Sequence, residues 1–201
     1  MKIIKSILSW IVPILIGLAI ALLVRSYLFE IVRVDGSSME PNLVNNERAF
    51  ALKQEKIKHL SVIVFDAYGA DPQATPGTDY VKRVIGMPGD KISYKNGNLY
   101  VNNKLVPQKF ISANERTTGT EIGAEAKDWN LASVAKARGW GNKPEKVPAG
   151  EYFVLGDHRT VSYDSRYWGF VKKSEVVGVV KVPFWGSTAA KNNVNDRTSD
   201  Y

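Results

Sequence analysis

"DYVKRVIGMPGDKISYKNGNLYVNNKLV", residues Asp79–Val106, decides the fold class. Its first third is an extended run rich in β-branched and aromatic residues, and it stops at the Pro88-Gly89 turn. The rest reads as a hairpin. Asn96-Gly97 suits a tight primed turn, whose central residues need positive φ, and apolar residues alternate on each side of it. An amphipathic helix would repeat its apolar residues at three and four positions instead.

Other runs with strand character follow outward from this stretch. "FEIVRVDG", "RAFALK" and "SVIVFDAY" precede it, and "GEYFVLGD" and "VVGVVKVPFW" come after it. Together they predict a mostly β domain over 30–186. Residues 67–78, "AYGADPQATPGT", read as a loop punctuated by Pro and Gly. Residues 108–149 have weak periodicity and read as a variable insertion, with room for a short helix in "EIGAEAKDWNLASVAKARGW". The polar tail, 187–201, is expected to fray.

The N-terminal segment differs in kind. "ILSWIVPILIGLAIALLV", Ile7 to Val24, carries no charge. At about 1.5 Å per residue it spans roughly 27 Å, close to a hydrocarbon core of about 30 Å. Tyr27, Leu28 and Phe29 extend it, so the predicted anchor covers 7–29, after a short cytoplasmic stretch at 1–6. "RSYLFEIVRV" puts bulky residues where a cleavable signal peptide needs small ones. Lys2, Lys5 and the terminal amine favour an N-terminus inside the cell, against Arg25 and Arg33 on the other flank.

Composition excludes several chemistries. The 201 residues include no cysteine, which rules out disulfides, thiolate metal sites and a cysteine nucleophile. Two histidines, His59 and His158, are too few for a histidine-rich metal site, and the serine chemistry weighed below would need no metal and no cofactor. The net charge of +7 is spread along the chain. It fits a solvated basic surface or attraction to anionic headgroups of a lipid bilayer, and no nucleic-acid module accompanies it.

The candidate chemistry centres on "DGSSMEPNL", Asp35–Leu43. A serine hydroxyl attacks only when a base removes its proton. His158, beside Asp157 and near Asp164, would make a Ser-His-Asp triad. Ser133 and Lys136 match Ser-x-x-Lys, but the companion motifs are missing. Lys82 would make a dyad with a serine distant in sequence. It must then be desolvated, because a lysine of ordinary pKa is neutral in only about one part in three thousand near pH 7. On a strand Lys82 shares a face with Tyr80 and Val84, which can shield it, while Arg83 points the other way. Spacing alone leaves the three pairings open.

The ordered blocks settle the reading by resemblance. After the anchor come "GSSMEPNL", "NNERAFALK", "SVIVFDA", "YVKRVIGMPGD", "NGNLYVNNKLV", "LGDHRTVSYDSRYWGFV" and "VVGVV". The chain resembles bacterial type I signal peptidases, in the short single-anchor form of Gram-positive bacteria. The resemblance covers the anchor and most of the β domain, but neither 108–149 nor the tail. It implies an antiparallel β peptidase domain on the extracytoplasmic face of the cell membrane. It also implies a serine endopeptidase that removes N-terminal signal peptides after small residues, at Ala-x-Ala-like sites. The implied partners are exported preproteins emerging from the secretion machinery.

The same resemblance assigns roles. Ser38, immediately before Met39, is the implied nucleophile, Lys82 the general base, and Ser162 the serine that orients Lys82. Asp164 is expected to pair with Arg83 or Arg166, and Gly156 and Asp157 to shape the adjacent turn. The implied substrate strand adds to two enzyme strands. Val32, Val34, Met39, Leu43, Val64, Tyr80 and Val81 would line its pockets. The Ser38 backbone N–H is the implied oxyanion donor.

The sequence also departs from the family. Gly36 stands where some relatives carry a serine that donates to the oxyanion. Asn42 replaces a threonine, and His158, Thr160 and Val161 replace polar residues of the last block. These departures motivate the alternative of a weak or inactive tethered paralogue that binds extended peptides.

Overall fold

A computed structural model describes residues 2–122, 127–183, 185 and 188–195; side chains are described from residue 9 onward. Helix α1 (Lys2–Tyr27) leads into the β domain. Its stretch Ser9–Tyr27 is long and apolar enough to cross a bilayer, and none of it is buried against the rest of the chain. An apolar surface exposed all round is costly in water and suits lipid. The helix ends two residues earlier than the anchor predicted from sequence. Phe29 is already a strand residue, paired with Leu52.

The remaining strands are β1 (Phe29–Arg33), β2 (Arg48–Leu52), β3 (Val62–Asp66), β4 (Asp79–Gly86), β5 (Ile92–Lys95), β6 (Asn98–Val101), β7 (Lys104–Leu105), β8 (Trp129–Asn130), β9 (Glu151–Leu155), β10 (Val171–Lys172) and β11 (Val176–Lys181). Seven of them form one sheet in the order β1-β2-β11-β3-β4-β9-β10. A second sheet runs β7-β6-β5-β8. Their pairings are antiparallel, as the fold class requires.

The hairpin predicted at Asn96-Gly97 joins β5 to β6, with Lys95 opposite Asn98. Asn96 and Gly97 have φ of 49° and 77°, the signs that a primed turn demands. The alternation then places Ile92 and Tyr94 of β5, with Leu99 and Val101 of β6, in one apolar core with Phe153 and Leu155 of β9.

Residues 108–149 turn out to be part of that core. They supply Trp129, Leu131, Val134 and Val147 to it. Tyr94 stacks on Trp129 with centroids 5.7 Å apart. The short helix allowed for here is α3 (Leu131–Arg138), held by an Asn130–Ser133 capping box and ended by Gly139 in the left-handed region; α2 (Ala113–Arg116) precedes it, and the single turn α4 (Ser165–Trp168) follows β9. The Ser133-x-x-Lys136 match is thereby explained, since the Ser133 hydroxyl caps the helix through Asn130.

The expectation of a frayed tail fails over Ala189–Asn195. These residues form helix α5, which buries Val194 against Val32, Val34, Met39 and Leu43. Its sequence, AAKNNVN, has a single large apolar residue. No amphipathic stripe could have signalled docking. Residues 196–201 of the predicted tail lie outside the described residues.

Candidate active site

Ser38 sits in the loop between β1 and β2. The loop is compact: the N–H groups of Asn42 and Leu43 donate to the Met39 carbonyl, each at 3.0 Å. Met39 and Leu43 are buried beneath it and anchor it to the sheet. Gly36 enters the loop at φ +85°, with its N–H donating to Asn45 Oδ1 at 3.0 Å. A backbone in this region strains any side chain but glycine. The missing serine at Gly36 thus accompanies a backbone conformation that disfavours one.

Lys82 comes from the middle of β4, opposite Ile63 of β3. Its Nζ lies 2.9 Å from Ser38 Oγ and 3.2 Å from the Val81 carbonyl. Tyr80 flanks it, the amine standing 5.1 Å from the ring centroid. Only 4 % of the Lys82 surface is exposed. That burial pushes its pKa down to about 8, against an opposing pull from the Asp164 and Asp157 charges.

Two ion pairs lie behind Ser38 and Lys82. Arg83 makes a two-pronged contact with Asp157, Nε to Oδ1 at 2.8 Å and Nη2 to Oδ2 at 2.7 Å. Asp164 pairs with Arg166 at 2.9 Å, so of the two partners open to it from sequence, Arg166 takes it. Burial alone would raise the Asp164 carboxyl. The charge and hydrogen bonds of Arg166, with the Gly156 N–H, hold it below its ordinary range. A Cβ on Gly156 would collide with the Ser162 side chain and the Ser38 carbonyl. Glycine is required there by this close approach.

The other sequence candidates divide. His158 does not face the Ser38 hydroxyl as a base. Its backbone N–H donates to the Ser38 carbonyl at 3.0 Å, and its Nδ1 lies 3.2 Å from the Ser37 carbonyl. It fastens the serine loop instead. Ser162 is buried, and the contact expected between its Oγ and Lys82 is not made; its hydroxyl instead helps to keep the Asp164 carboxylate charged. The amine points to Ser38 and the Val81 carbonyl instead.

A cleft of about 430 Å³ opens beside Ser38 and Lys82. Val32, Val34, Met39, Val64, Tyr80 and Val81 line it, together with Gly36, Ser38 and Lys82. Leu43 does not. It is fully buried in the apolar cluster that holds Val32, Val34 and Met39. Both long walls of the cleft have free strand edges. β1 is the terminal strand of its sheet. β4 pairs with β9 only from Arg83 onward, leaving Asp79–Lys82 unpaired on that side.

Asn42 was missed as a supporting residue. It is fully buried, and its Nδ2 donates to Asp157 Oδ2 and the Phe110 carbonyl, both at 2.8 Å. Arg159 was missed too. Its Nε donates to the Gly156 carbonyl and its Nη1 to Thr120, each at 2.8 Å, and burial pushes its pKa down to about 10. A polar residue inside the Ser38 loop is the only sequence signal for Asn42, and it does not distinguish support from solvent exposure.

A serine, a buried amine within hydrogen-bond reach of it, and a cleft with open strand edges define a peptidase-like site. The family model for "Signal peptidase, peptidase S26" matches residues 7–185. The chain is 35% identical over 201 residues to signal peptidase IB of Staphylococcus aureus strain COL, covering 95% of this chain and 96% of that protein. It is 39% identical over 186 residues to signal peptidase I P of Bacillus subtilis subsp. natto, covering 90% of each. A crystal structure of a signal peptidase I from Enterococcus faecalis V583 is 30% identical, with a TM-score of 0.48, over 62% of this chain and 97% of that one. The chain belongs to the signal peptidase family, peptidase S26. As a type I signal peptidase it is a serine endopeptidase.

Proposed function

We propose that this chain is a membrane-anchored Ser-Lys endopeptidase that cuts signal peptides from exported preproteins after small residues. The observation that carries the reading is the 2.9 Å contact between Lys82 Nζ and Ser38 Oγ. With Lys82 protonated, Nζ donates to the hydroxyl. With Lys82 neutral, the same contact lets the hydroxyl give up its proton.

The steps follow from that geometry. Neutral Lys82 takes the Ser38 proton, and Oγ attacks the scissile carbonyl. The Ser38 N–H faces the developing oxyanion. The ammonium of Lys82 then protonates the leaving amine and, once neutral again, activates the water that releases the acyl-enzyme. Ser162, buried and beside the Asp164 carboxylate, serves as the orienting group for Lys82 as protons move.

The preprotein lies extended between the free edges of β1 and the first half of β4, adding main-chain hydrogen bonds to both. Alternate side chains of such a strand point to one side. The first and third residues before the cut therefore meet the apolar wall of Val32, Val34, Met39, Val64, Tyr80 and Val81, which leaves space for alanine. Helix α1 anchors the chain with residues 1–6 in the cytoplasm and the domain 30–186 outside.

Cleavage of a preprotein with an Ala-x-Ala site tests this. Ser38→Ala and Lys82→Ala should each lower kcat/KM by about a thousandfold or more, and His158→Ala far less. Ser162→Ala should fall between them. An active Lys82→Ala with an inactive His158→Ala would transfer the role of base to the histidine.

A further inference from the structure

The catalytic machinery of the proposed dyad is braced from behind by helix α5, which the chemistry does not use. Asn193 of that helix makes two contacts. Its Nδ2 donates to Asn42 Oδ1 at 2.9 Å, and its carbonyl receives Arg83 Nη1 at 3.1 Å. Asn42 belongs to the Ser38 loop, and Arg83 is the chain neighbour of Lys82.

The two ends are also joined to each other. Asn42 Nδ2 and the Arg83 guanidinium meet on the same carboxylate oxygen, Asp157 Oδ2. Helix α5 is itself fastened at several points. Asn195 bonds both the N–H and the carbonyl of Val182, at 3.0 and 2.8 Å. Lys191 pairs with Glu47 at the far end of the serine loop. Val194 fills the apolar cluster under the cleft.

We propose that Asn193 is a positioning residue for the proposed Ser38–Lys82 pair, acting through Asn42 and Arg83 to fix the serine loop against strand β4. The inference rests on the dyad reading. Its physical core is the Asn42 amide. With Oδ1 held by Asn193, both amide hydrogens are aimed at Asp157 and Phe110. Without Asn193, the buried Oδ1 is left unsatisfied, and a turn of the amide to relieve it breaks both donor bonds. The serine loop then loses its link to Asp157, and Oγ is less well aimed at Nζ. Water gains access to the amine, and Asp157 is less well compensated. Both effects favour the charged lysine.

The test uses the full chain in detergent and compares Asn193→Ala and Asn193→Leu with the wild type. The leucine keeps the bulk, the helix and the carbonyl contact and adds no charge, but it cannot donate to Asn42 Oδ1. Both variants should lower kcat about 5- to 20-fold at nearly unchanged KM. Both should also move the acid limb of the kcat profile to higher pH by half a unit or more. A role in stability alone would lower Tm and leave the limb in place. If Asn193→Ala fails to fold, Asn193→Leu carries the measurement. Wild-type kcat and limb in Asn193→Leu, alongside an inactive Lys82→Ala, overturn the inference alone. An active Lys82→Ala overturns the dyad and this inference together.

Discussion

At the residue scale the proposed dyad turns on Lys82. Its pKa is lowered from 10.5 to about 8 by burial. At pH 7 roughly one molecule in ten then holds a neutral amine, against about one in three thousand without the shift. The same shift has a cost in stability. A lysine whose folded-state pKa is depressed binds fewer protons folded than unfolded between the two values, so stability rises with pH across that window. Below pH 8 the full penalty applies, about 3 kcal/mol. Lys82→Met, which keeps the bulk without the charge, should therefore be inactive yet more stable at pH 7 by up to about 3 kcal/mol. The difference should shrink above pH 8 and vanish near 10.5, read by denaturant unfolding at several pH values.

Gly156 makes a second prediction at this scale. A methyl group there meets the Ser38 carbonyl and the Ser162 side chain. Gly156→Ala should lower kcat by about tenfold or more through displacement of Ser38, the proposed nucleophile. A variant with wild-type kcat would show that the loop tolerates the shift.

At the scale of elements, the hairpin and the buried ion pair are separable. Gly97, at φ +77°, closes β5 to β6 and does not line the cleft. Gly97→Val should cost about 1–2 kcal/mol of stability by backbone strain while kcat stays as in the wild type. The Arg83–Asp157 pair ties strand β4 to the turn after β9 with both partners fully buried. Arg83→Met leaves Asp157 buried without its counter-charge, which should cost about 3–5 kcal/mol in unfolding experiments.

The strands were legible because their signals are local. Asn96-Gly97 and the alternation around it specify a hairpin from a dozen residues. Lys82 stood out because an ordered block surrounds it, and Ser38 because of its place before Met39. The supporting residues had no such signal. Asn42, Arg159 and Asn193 are polar residues in loops or a polar helix, and only the tertiary fold buries the first two and half-buries the third. The contribution of 108–149 to the core was missed for a related reason. Trp129, Leu131, Val134 and Val147 are scattered among polar residues, and they converge only when β8 pairs with β5.

At the scale of the whole molecule, helix α1 and the β domain are nearly independent. The apolar stretch Ser9–Tyr27 buries nothing against the domain. Its links are exposed bonds, such as those from Lys53 to the Ser26 carbonyl and Gln54 to the Tyr27 carbonyl. Such contacts add little stability. A chain lacking residues 2–27 should keep the Tm of the domain within a few degrees. It should cut a short peptide with an unchanged kcat and a membrane-inserted preprotein with a raised KM. A collapse of Tm on deletion would mean that the helix is a structural part of the domain.

The pH dependence of kcat/KM for an Ala-x-Ala substrate tests the Ser38–Lys82 pairing most directly, because it reports the base in the free enzyme. The buried Lys82 predicts an acid limb near pH 8, with activity rising as the amine loses its proton. A limb near 6.5, the ordinary range of histidine, or a limb that persists in Lys82→Ala, would contradict it.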